Sequence, residues 1–219
     1  SLLYLASKTR PDILYPNIVL SGRAKTHLRS DYDKLTKILE YLNNTKDLSL
    51  VFRSEGDIHL NGCVDASFNQ HPDAKGHTGF LISPDLMGSA SVMTKSLKQK
   101  SVADSTAESE LIALHECVQN LLWVVNLAEE LGYKQVGVPV RNDNEATIGM
   151  AAKEQVMFKG RSKFINRKYF SVHQHVEDGT LKLVFVGTDD NVADFLTKAL
   201  MGNKFRRFRL DIMGSRGEE

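Results

Sequence analysis

One stretch of the chain, residues 103–131, has the apolar spacing of a long helix. Its apolar residues recur at intervals of three and four, which is the period of an α-helix with one buried face. The residues of this stripe are Leu111, Leu114, Val118, Leu121, Leu122 and Val125. Gly132 follows as the expected C-cap. Because Glu110 and Leu114 share a face, the pattern places a carboxylate beside a buried stripe.

Short segments on either side of this helix have the patterns of strands and further helices. The predicted strands before it are Leu48–Arg53, Ile58–Asp65, Thr78–Ser83 and Ser89–Lys95, and an earlier helix is predicted at Asp31–Tyr41. The predicted elements after it are strand Val136–Val140, helix Glu145–Lys153, helix Ile165–Glu177, strand Leu181–Val186 and helix Val192–Leu200. Three antiparallel strands followed by alternating helices and strands indicate an α/β protein, with a mixed sheet and helices on both faces.

The composition of the 219 residues has neither a membrane nor a zinc-binding signature. No stretch approaches the roughly 18 uninterrupted apolar residues of a membrane helix, so we expect a soluble protein without a membrane partner. Cys63 and Cys117 lack a neighbouring cysteine, which is typical of reduced thiols in the cytosol or nucleus. The chain begins SLLYLASKTRPD, without an initiator Met or a signal peptide, so we expect it to be cut from a longer polyprotein.

Four acidic residues stand at the ends or edges of different predicted elements: Asp65, Glu110, Asp143 and Asp194. Hard divalent cations such as Mg²⁺ prefer oxygen ligands, and two such ions about 3.5–4 Å apart support phosphodiester hydrolysis. Each acid alone is also explained as an ordinary surface, turn or helix-start residue. Asp65 and Asp143 resist that explanation because each ends an apolar strand. Together the four predict a metal-binding nuclease centre.

The net charge is only +1, so attraction to a phosphate backbone has to come from local basic clusters. Each cluster, taken alone, is also explained as a solvated face. The candidates are Lys95, Lys98 and Lys100; Arg161, Lys163, Arg167 and Lys168; and Lys204, Arg206, Arg207 and Arg209. The first cluster precedes the long helix, and we expect it to be the main phosphate-binding group.

Eight blocks occur in order along the chain: SLLYLASKTRPDI, ILEYLNNTKDLSLVFR, GCVDASF, KGHTGF, STAESELIALHE, NDNEATIGM, RSKFINRKYF and NVADFLTKAL. Together they resemble the copia-type LTR retrotransposon Pol polyprotein, at the end of its reverse transcriptase and the following ribonuclease H domain. The resemblance covers almost the whole chain. It implies that residues 1–55 are the C-terminal part of the reverse transcriptase, 56–203 the ribonuclease H domain and 204–219 a basic C-terminal tail.

This resemblance implies a ribonuclease H-like fold that cleaves the RNA strand of an RNA/DNA hybrid with two Mg²⁺ ions, or with Mn²⁺. It implies that Asp65 bridges both ions, that Glu110 and Asp143 complete one side, and that Asp194 holds the ion near the attacking water. Glu108 is the alternative to Glu110. The implied partners are the hybrid and the remainder of the reverse transcriptase polyprotein. The expected location is cytoplasmic, in a virus-like particle, with the nucleus as the alternative.

Selecting a hybrid requires contacts to successive 2′-hydroxyls of one strand and room for deoxyribose in the other. The candidates for these contacts, from position alone, are backbone amides near Ala66, Ser67 and Asn69, with Ser105 or Thr106 at the helix start. No Tyr-x-Asp-Asp polymerase signature occurs, so we expect no polymerase activity from this chain.

Two other interpretations stay open. Copia-type sequences usually have Lys-His-Ile-Asp where this chain has Lys163, Phe164, Ile165 and Asn166. The missing His or acid favours a catalytically inactive module that binds nucleic acid or scaffolds the polymerase. The third interpretation keeps the fold but assigns the chemistry of integrase-like polynucleotidyl transferases, whose pattern uses fewer acids at different spacing. His173 and His175 lie nearby and are interpreted as exposed helical residues rather than metal ligands.

Overall fold

The computed structural model describes residues 2–53, 56–84, 89–152 and 163–215, without the side chains of residues 163–165. The helices are α1 (Leu2–Lys8), α2 (Leu14–Gly22), α3 (Arg29–Asn44), α4 (Thr106–Glu130), α5 (Glu145–Ala151), α6 (Lys163–Glu177) and α7 (Gly202–Met213). The strands are β1 (Asn61–Ser67), β2 (His77–Ser83), β3 (Met93–Lys98), β4 (Val138–Asn142) and β5 (Leu181–Phe185). Two short 3₁₀ helices are Pro11–Ile13 and Val192–Leu196; the second is called the acidic turn because it contains Asp194.

The five strands form one mixed sheet in the order β3-β2-β1-β4-β5. Strands β1, β2 and β3 pair antiparallel, whereas β4 runs parallel to β1 and β5 runs parallel to β4. The register places Asp65 opposite Gly79 across β1 and β2, and Gly62 beside Val140 across β1 and β4. This topology confirms the predicted fold class, a ribonuclease H-like α/β protein with three antiparallel strands followed by parallel strands.

The long predicted helix is α4, and it packs along one face of the sheet. Its buried stripe contacts Val64 of β1 with Phe80 and Ile82 of β2, and the three side chains are almost completely buried. Alone among the described helices, α4 is long and apolar enough to cross a membrane, but more than half of its apolar window is buried inside the protein. Packing in the core therefore accounts for the apolar character of α4.

The opposite face of the sheet is covered by the N-terminal helices and α7. Successive strand residues point to opposite faces, so Cys63 packs on this side whereas Val64 packs against α4. Phe208 and Ile212 of α7 lie one helical turn apart and are buried in the same cluster as Cys63 and Leu81. Much of the predicted basic tail, 204–219, is therefore helical, because α7 spans Gly202–Met213. The predicted domain boundaries after residues 55 and 203 stay predictions.

The predicted strand Leu48–Arg53 is wrong, because none of the described strands includes it. The Val51 amide instead donates a hydrogen bond to the Met213 carbonyl at 2.8 Å, and the Val51 carbonyl accepts one from the Ala90 amide at 2.8 Å. Leu48 and Leu50 pack against the N-terminal helices. The alternating pattern therefore reflects burial on one side of an extended segment, not pairing in the sheet.

Two further boundaries were misplaced. The third strand begins at Met93 rather than Ser89, because the Ser91 amide donates to the Ile212 carbonyl of α7 and not to a strand. The last predicted helix, Val192–Leu200, is the short acidic turn, which ends at Leu196. Helices α1 and α2 were not predicted, because neither segment has a clear apolar period.

Candidate metal centre

Four elements bring the four predicted acidic residues to one end of the sheet. Asp65 lies near the end of β1, and Asp143 follows directly after β4. Because β1 and β4 are parallel neighbours, their carboxyl ends lie side by side. Glu110 reaches this edge from the first turns of α4, and Asp194 reaches it from the acidic turn. The structure thus brings the predicted set together, while their role as metal ligands stays a prediction.

Three of these carboxylates are close enough to share a cation. Asp65, Asp143 and Asp194 each offer an oxygen atom within 4.8 Å of the other two. Asp65 and Asp194 are each 2% exposed, and Glu110 is 4% exposed. Glu110 is outside this mutual triplet, but its charge interacts with those of Asp65 and Asp143. A set of carboxylate oxygens at an edge of the sheet suits a hard divalent cation, which usually keeps several waters.

Two fully buried asparagines, which sequence reasoning missed, contact the carboxylates. The Asn142 side-chain amide donates to Glu110 Oε2 at 2.9 Å and to the Val64 carbonyl at 3.3 Å. The Asn191 amide donates to the same Val64 carbonyl at 3.0 Å and to Asp143 Oδ1 at 3.3 Å. Each amide therefore fixes one carboxylate relative to the end of β1. Their only sequence signal is position: Asn142 directly precedes Asp143, and Asn191 lies three residues before Asp194.

The pKa values of two of the carboxyl groups are strongly raised. Burial raises the pKa of Glu110 to about 8, and the neighbouring negative charge of Asp65 adds to the shift. Burial also raises the pKa of Asp65 to about 6, against the opposing effects of the Lys198 ammonium and the Thr197 hydroxyl. A bound cation relieves buried carboxylates that repel one another. The donor set and its excess negative charge therefore fit a divalent cation.

Two lysines also contact the cluster: sequence reasoning missed Lys198 and named Lys204 only as a member of a basic cluster. Lys198 Nζ lies 2.5 Å from Asp194 Oδ1 and 3.6 Å from Asp65 Oδ2. Lys204 Nζ lies 2.9 Å from Asp194 Oδ2. The Thr197 hydroxyl donates a hydrogen bond to Asp65 Oδ2. The spacing of four between Asp194 and Lys198 is the one signal in the sequence for such a pair.

The start of α4 separates the two candidate glutamates. Ser105 is the N-cap, and its hydroxyl accepts a hydrogen bond from the Glu108 amide at 3.1 Å. The Glu108 carboxylate accepts one from the Asp104 amide at 2.8 Å, so this side chain supports the helix start. Glu110 points into the carboxylate cluster instead. Thr106, the other predicted hydroxyl contact, is exposed at the first position of α4.

The three residues predicted to contact 2′-hydroxyls after Asp65 differ in their availability. Ala66 is buried, and its backbone amide interacts favourably with the Glu110 carboxylate, so this amide is less available for a hydroxyl contact. The Ser67 hydroxyl donates to the Thr197 carbonyl at 3.3 Å. Asn69 is exposed in the loop after β1, in the left-handed region with a φ of 51°. Asn69 is the most open of the three.

The predicted phosphate-binding lysines lie on and just after β3. Lys95 and Lys98 belong to β3, Lys100 follows it, and all three are exposed. Lys98 Nζ lies 2.8 Å from Asp73 Oδ1, an exposed pair. An exposed ion pair of this kind is weak, so Lys98 can exchange Asp73 for a phosphate at little cost.

The other two basic clusters are only partly solvent-facing. Arg161 lies outside the described residues, and the side chain of Lys163 is not described. Lys168 in α6 is 7% exposed, and burial lowers its pKa. On α7, Lys204 contacts the carboxylate cluster, and Arg207 lies 3.0 Å from Asp190. The interpretation of these clusters as solvated faces is therefore wrong for Lys168 and Lys204.

The two histidines of α6 are half-buried rather than exposed. His173 Nδ1 lies 2.9 Å from the Ala151 carbonyl, and its ring stacks on Tyr169. His175 lies 3.7 Å from Asp178. Their described contacts therefore connect α6 to its neighbours and to the following turn.

Hydrogen bonds and close packing hold the acidic turn against the sheet. The Ser96 hydroxyl of β3 donates to the Leu196 carbonyl at 2.8 Å. Gly79 of β2 passes directly beneath the turn, where an added Cβ would lie 2.7 Å from Leu196 Cβ and 2.7 Å from Thr197 Cγ2. The position of Asp194 therefore depends on the absence of a side chain at residue 79.

We expect Gly79→Ala to lower the free energy of unfolding by about 2 kcal/mol, because an added methyl overpacks the contact with the acidic turn. Chemical denaturation measures this change. Gly149→Ala in α5 is the matched control, because its added Cβ meets nothing within 4 Å. The control should be neutral or more stable by up to about 1 kcal/mol. Equal stability of the Gly79→Ala protein and the wild type would contradict the packing account.

No protein-family model matches the chain. Several solved structures resemble it in part. LC11-RNase H1 isolated from compost is 18% identical, with a TM-score of 0.45 over 63% of this chain and 91% of that chain. LC11-RNase H1 in complex with RNA/DNA hybrid is also 18% identical, with a TM-score of 0.44 over 63% of this chain and 92% of that chain.

Relatives match along nearly the whole chain. The retrovirus-related Pol polyprotein from transposon TNT 1-94 of Nicotiana tabacum is 32% identical over 206 residues, which are 94% of this chain and 15% of that protein. The one from transposon RE2 of Arabidopsis thaliana is 30% identical over 210 residues, 95% of this chain and 14% of that protein. The transposon Ty1-LR3 Gag-Pol polyprotein of Saccharomyces cerevisiae is 27% identical over 209 residues, 93% of this chain and 12% of that protein.

The chain therefore spans 15% or less of the length of these relatives. The matched segment covers more than nine-tenths of this chain in each case. Along this segment, the homologues of the chain are copia-type retrotransposon Pol polyproteins.

Proposed function

We propose that this chain hydrolyses the RNA strand of RNA/DNA hybrids, as the ribonuclease H part of a reverse transcriptase polyprotein. The observation that supports this most is the convergence of Asp65, Glu110, Asp143 and Asp194 from four different elements. A single acid at a strand end has an ordinary structural explanation, but four that repel one another at one edge of the sheet do not. The similarity to Pol polyproteins along the whole chain supports the same function.

Two Mg²⁺ ions, or Mn²⁺ ions, are the cofactors that this cluster would hold. The charge of Asp65 interacts with those of the other three acids, so Asp65 would be shared by both ions. Glu110 and Asp143 would hold one ion, and Asp194 would hold the other. When bound, the ions would activate a water molecule and stabilise the leaving oxygen.

The chain's own side chains would position these ligands and recognise the hybrid. Asn142 and Asn191 hold two of the carboxylates through buried amides. Asn69, Ser105 and Thr106 offer the open polar groups for hydroxyl contacts, and the β3 lysines offer salt-dependent contacts to phosphate. The proposed partners are the hybrid and the remainder of the polyprotein. The proposed location is cytoplasmic, in a virus-like particle.

Two glutamates of α4 give a matched test of this function. We expect Glu110→Gln to lower hybrid cleavage by about 10²-fold or more, because it removes a charged metal ligand. Glu108→Gln makes the same chemical change two residues away, where the carboxylate only supports the helix start. It should keep activity within about a factor of two, since a cap is worth about 1 kcal/mol of stability. Cleavage of a labelled hybrid measures both.

Two results would contradict the proposal. One is full activity of the Glu110→Gln protein. The other is an equal loss in both variants, which would point to a general effect on α4 rather than to a ligand. Circular dichroism of both proteins establishes that the helix is intact.

A further inference from the structure

The close ion pairs of the carboxylate cluster are unevenly distributed, although the charge of Lys198 also interacts with that of Asp143. Within the described residues, the ion pairs of the cluster involve Asp65 and Asp194, through Lys198 and Lys204. The ion pairs described for the chain include none with Glu110 or Asp143. Each carboxylate oxygen of Asp194 has an ammonium within 3 Å, whereas the partners of Glu110 and Asp143 are neutral amides.

Lys198 lies where its charge is shared between two of the acids. Its ammonium is 2.5 Å from Asp194 and 3.6 Å from Asp65, and both carboxylates are almost completely buried. Asp65 and Asp194 have oxygen atoms within 4.8 Å of each other. Two buried carboxylates this close together need a positive charge, or a proton, near both of them. Lys198 supplies that charge in the protein without a metal ion.

The two lysines differ in how easily they can leave. The Lys198 side chain is 41% exposed and rises from the segment after the acidic turn, so its ammonium can move into water by rotation of a flexible stem. Lys204 is 29% exposed, and its ammonium also donates to the Thr188 carbonyl at 3.1 Å and contacts Asp189 at 3.4 Å. The Lys204 ammonium is therefore also bound to the loop before the acidic turn. By contrast, the described partners of the Lys198 ammonium are all carboxylates.

We propose that Lys198 is a displaceable counter-cation, which holds Asp65 and Asp194 together in the metal-free protein and competes with a divalent cation for the same oxygens. This inference rests on the proposed metal centre and adds a regulation of it. Lys198 weakens binding most at Asp194, with which it forms its closest ion pair, whereas Glu110 and Asp143 have no ion pair among the described residues. Divalent cations therefore bind the two parts of the centre with unequal affinity. The position held by Asp194, next to Lys198, is occupied last.

Calorimetric titration with Mn²⁺ tests this inference without any measurement of cleavage. We expect Lys198→Met to bind Mn²⁺ about tenfold more tightly than the wild type, because the binding site loses a competing unit charge close to two of its ligands. Lys198→Arg keeps the charge and should keep an affinity close to that of the wild type. Lys34→Met is the control, because it breaks an ion pair with Asp31 in α3, away from the cluster.

Thermal unfolding gives a second readout. In chelator, the Lys198→Met protein should unfold at a lower temperature than the wild type. Saturating Mn²⁺ should then raise its unfolding temperature by more than it raises that of the wild type. If Lys198 were purely structural, the substitution would lower the unfolding temperature by the same amount in chelator and in Mn²⁺. If Lys198→Met folds poorly, Lys198→Gln replaces it, with the same expected increase in affinity.

The outcomes separate the two proposals. If the wild type binds Mn²⁺ and Asp65→Asn abolishes that binding, the metal centre stands. Unchanged or weaker binding by the Lys198→Met protein then overturns the competition alone. If Mn²⁺ binding is absent from the wild type, or is the same in Asp65→Asn, the metal centre itself is wrong and the role of Lys198 falls with it.

Discussion

Replacing Asp65 with Asn is expected to lower cleavage of an RNA/DNA hybrid by about 10³-fold or more while the protein stays folded. The charge of Asp65 interacts with those of Glu110, Asp143 and Asp194, so its loss affects both sides of the proposed metal centre. Removal of metal stabilisation worth several kcal/mol corresponds to a loss of this size. A labelled hybrid in Mg²⁺ or Mn²⁺ measures the rate.

The Asp65→Asn protein should be more stable than the wild type, although it is less active. Burial raises the pKa of Asp65 to about 6, so at pH 8 the folded protein holds this group ionised at a cost. In chelator at pH 8, Asp65→Asn is expected to raise the free energy of unfolding by about 1–3 kcal/mol. Asp47→Asn changes an exposed acid and should alter neither activity nor stability. An Asp65→Asn protein that cleaves like the wild type, or that is inactive because it unfolds, would contradict this account.

The stability of the metal-free protein should fall as the pH rises from about 4.5 to about 8. The folded-state pKa of Glu110 is raised from 4.5 to about 8, so the folded protein keeps a proton that the unfolded chain has released. Unfolding therefore releases protons in this window, and the free energy of unfolding decreases with pH. Stability from the protonated group is complete below pH 4.5 and is lost through pH 8. We expect a total change on the order of 5 kcal/mol from Glu110, with a contribution from Asp65 at lower pH.

Divalent cations should reverse this trend. They bind the ionised carboxylates and not the unfolded chain, so their stabilising effect should be small at pH 6 and large at pH 8. Glu110→Gln removes the titrating group and should flatten the pH profile while lowering the response to metal. Urea denaturation from pH 5 to pH 8.5, in chelator and in Mg²⁺, measures both effects. A wild-type profile that rises toward pH 8 in chelator would show that Glu110 is not held protonated by the fold.

Much of the sheet and its main helix could be predicted from the sequence because their apolar periods are strong. The α4 pattern is determined by one continuous buried stripe, and β1 and β2 are short segments that are buried on both faces. The segment Leu48–Arg53 has the alternation of a strand, but its hydrogen bonds go to Met213 and Ala90, which are distant in sequence. Helices α1 and α2 pack in the same core cluster as α7, and no local sequence pattern indicates that packing.

The acidic residues of the candidate site could be predicted from the sequence, but the residues that support them could not. Asp65 and Asp143 could be found because acids rarely end apolar strands. Asn142, Asn191 and Lys198 have ordinary explanations as loop and surface residues, and only the fold brings them to the carboxylates. Contacts between side chains that are far apart in the sequence leave no repeating pattern of residues, so these contacts could not be predicted from residue spacing.

The most direct test of the central claim is the substrate and metal dependence of cleavage by the wild-type protein. A labelled RNA/DNA hybrid, an RNA duplex and a DNA duplex are each incubated with Mg²⁺, Mn²⁺ or chelator, using both this chain and the chain extended upstream in its polyprotein. We predict cutting of the RNA strand of the hybrid only, in either metal, with 3′-hydroxyl ends and no product in chelator. Cleavage that persists in chelator, cutting of all three duplexes alike, or no hybrid cleavage by either protein would contradict the proposed metal-dependent nuclease.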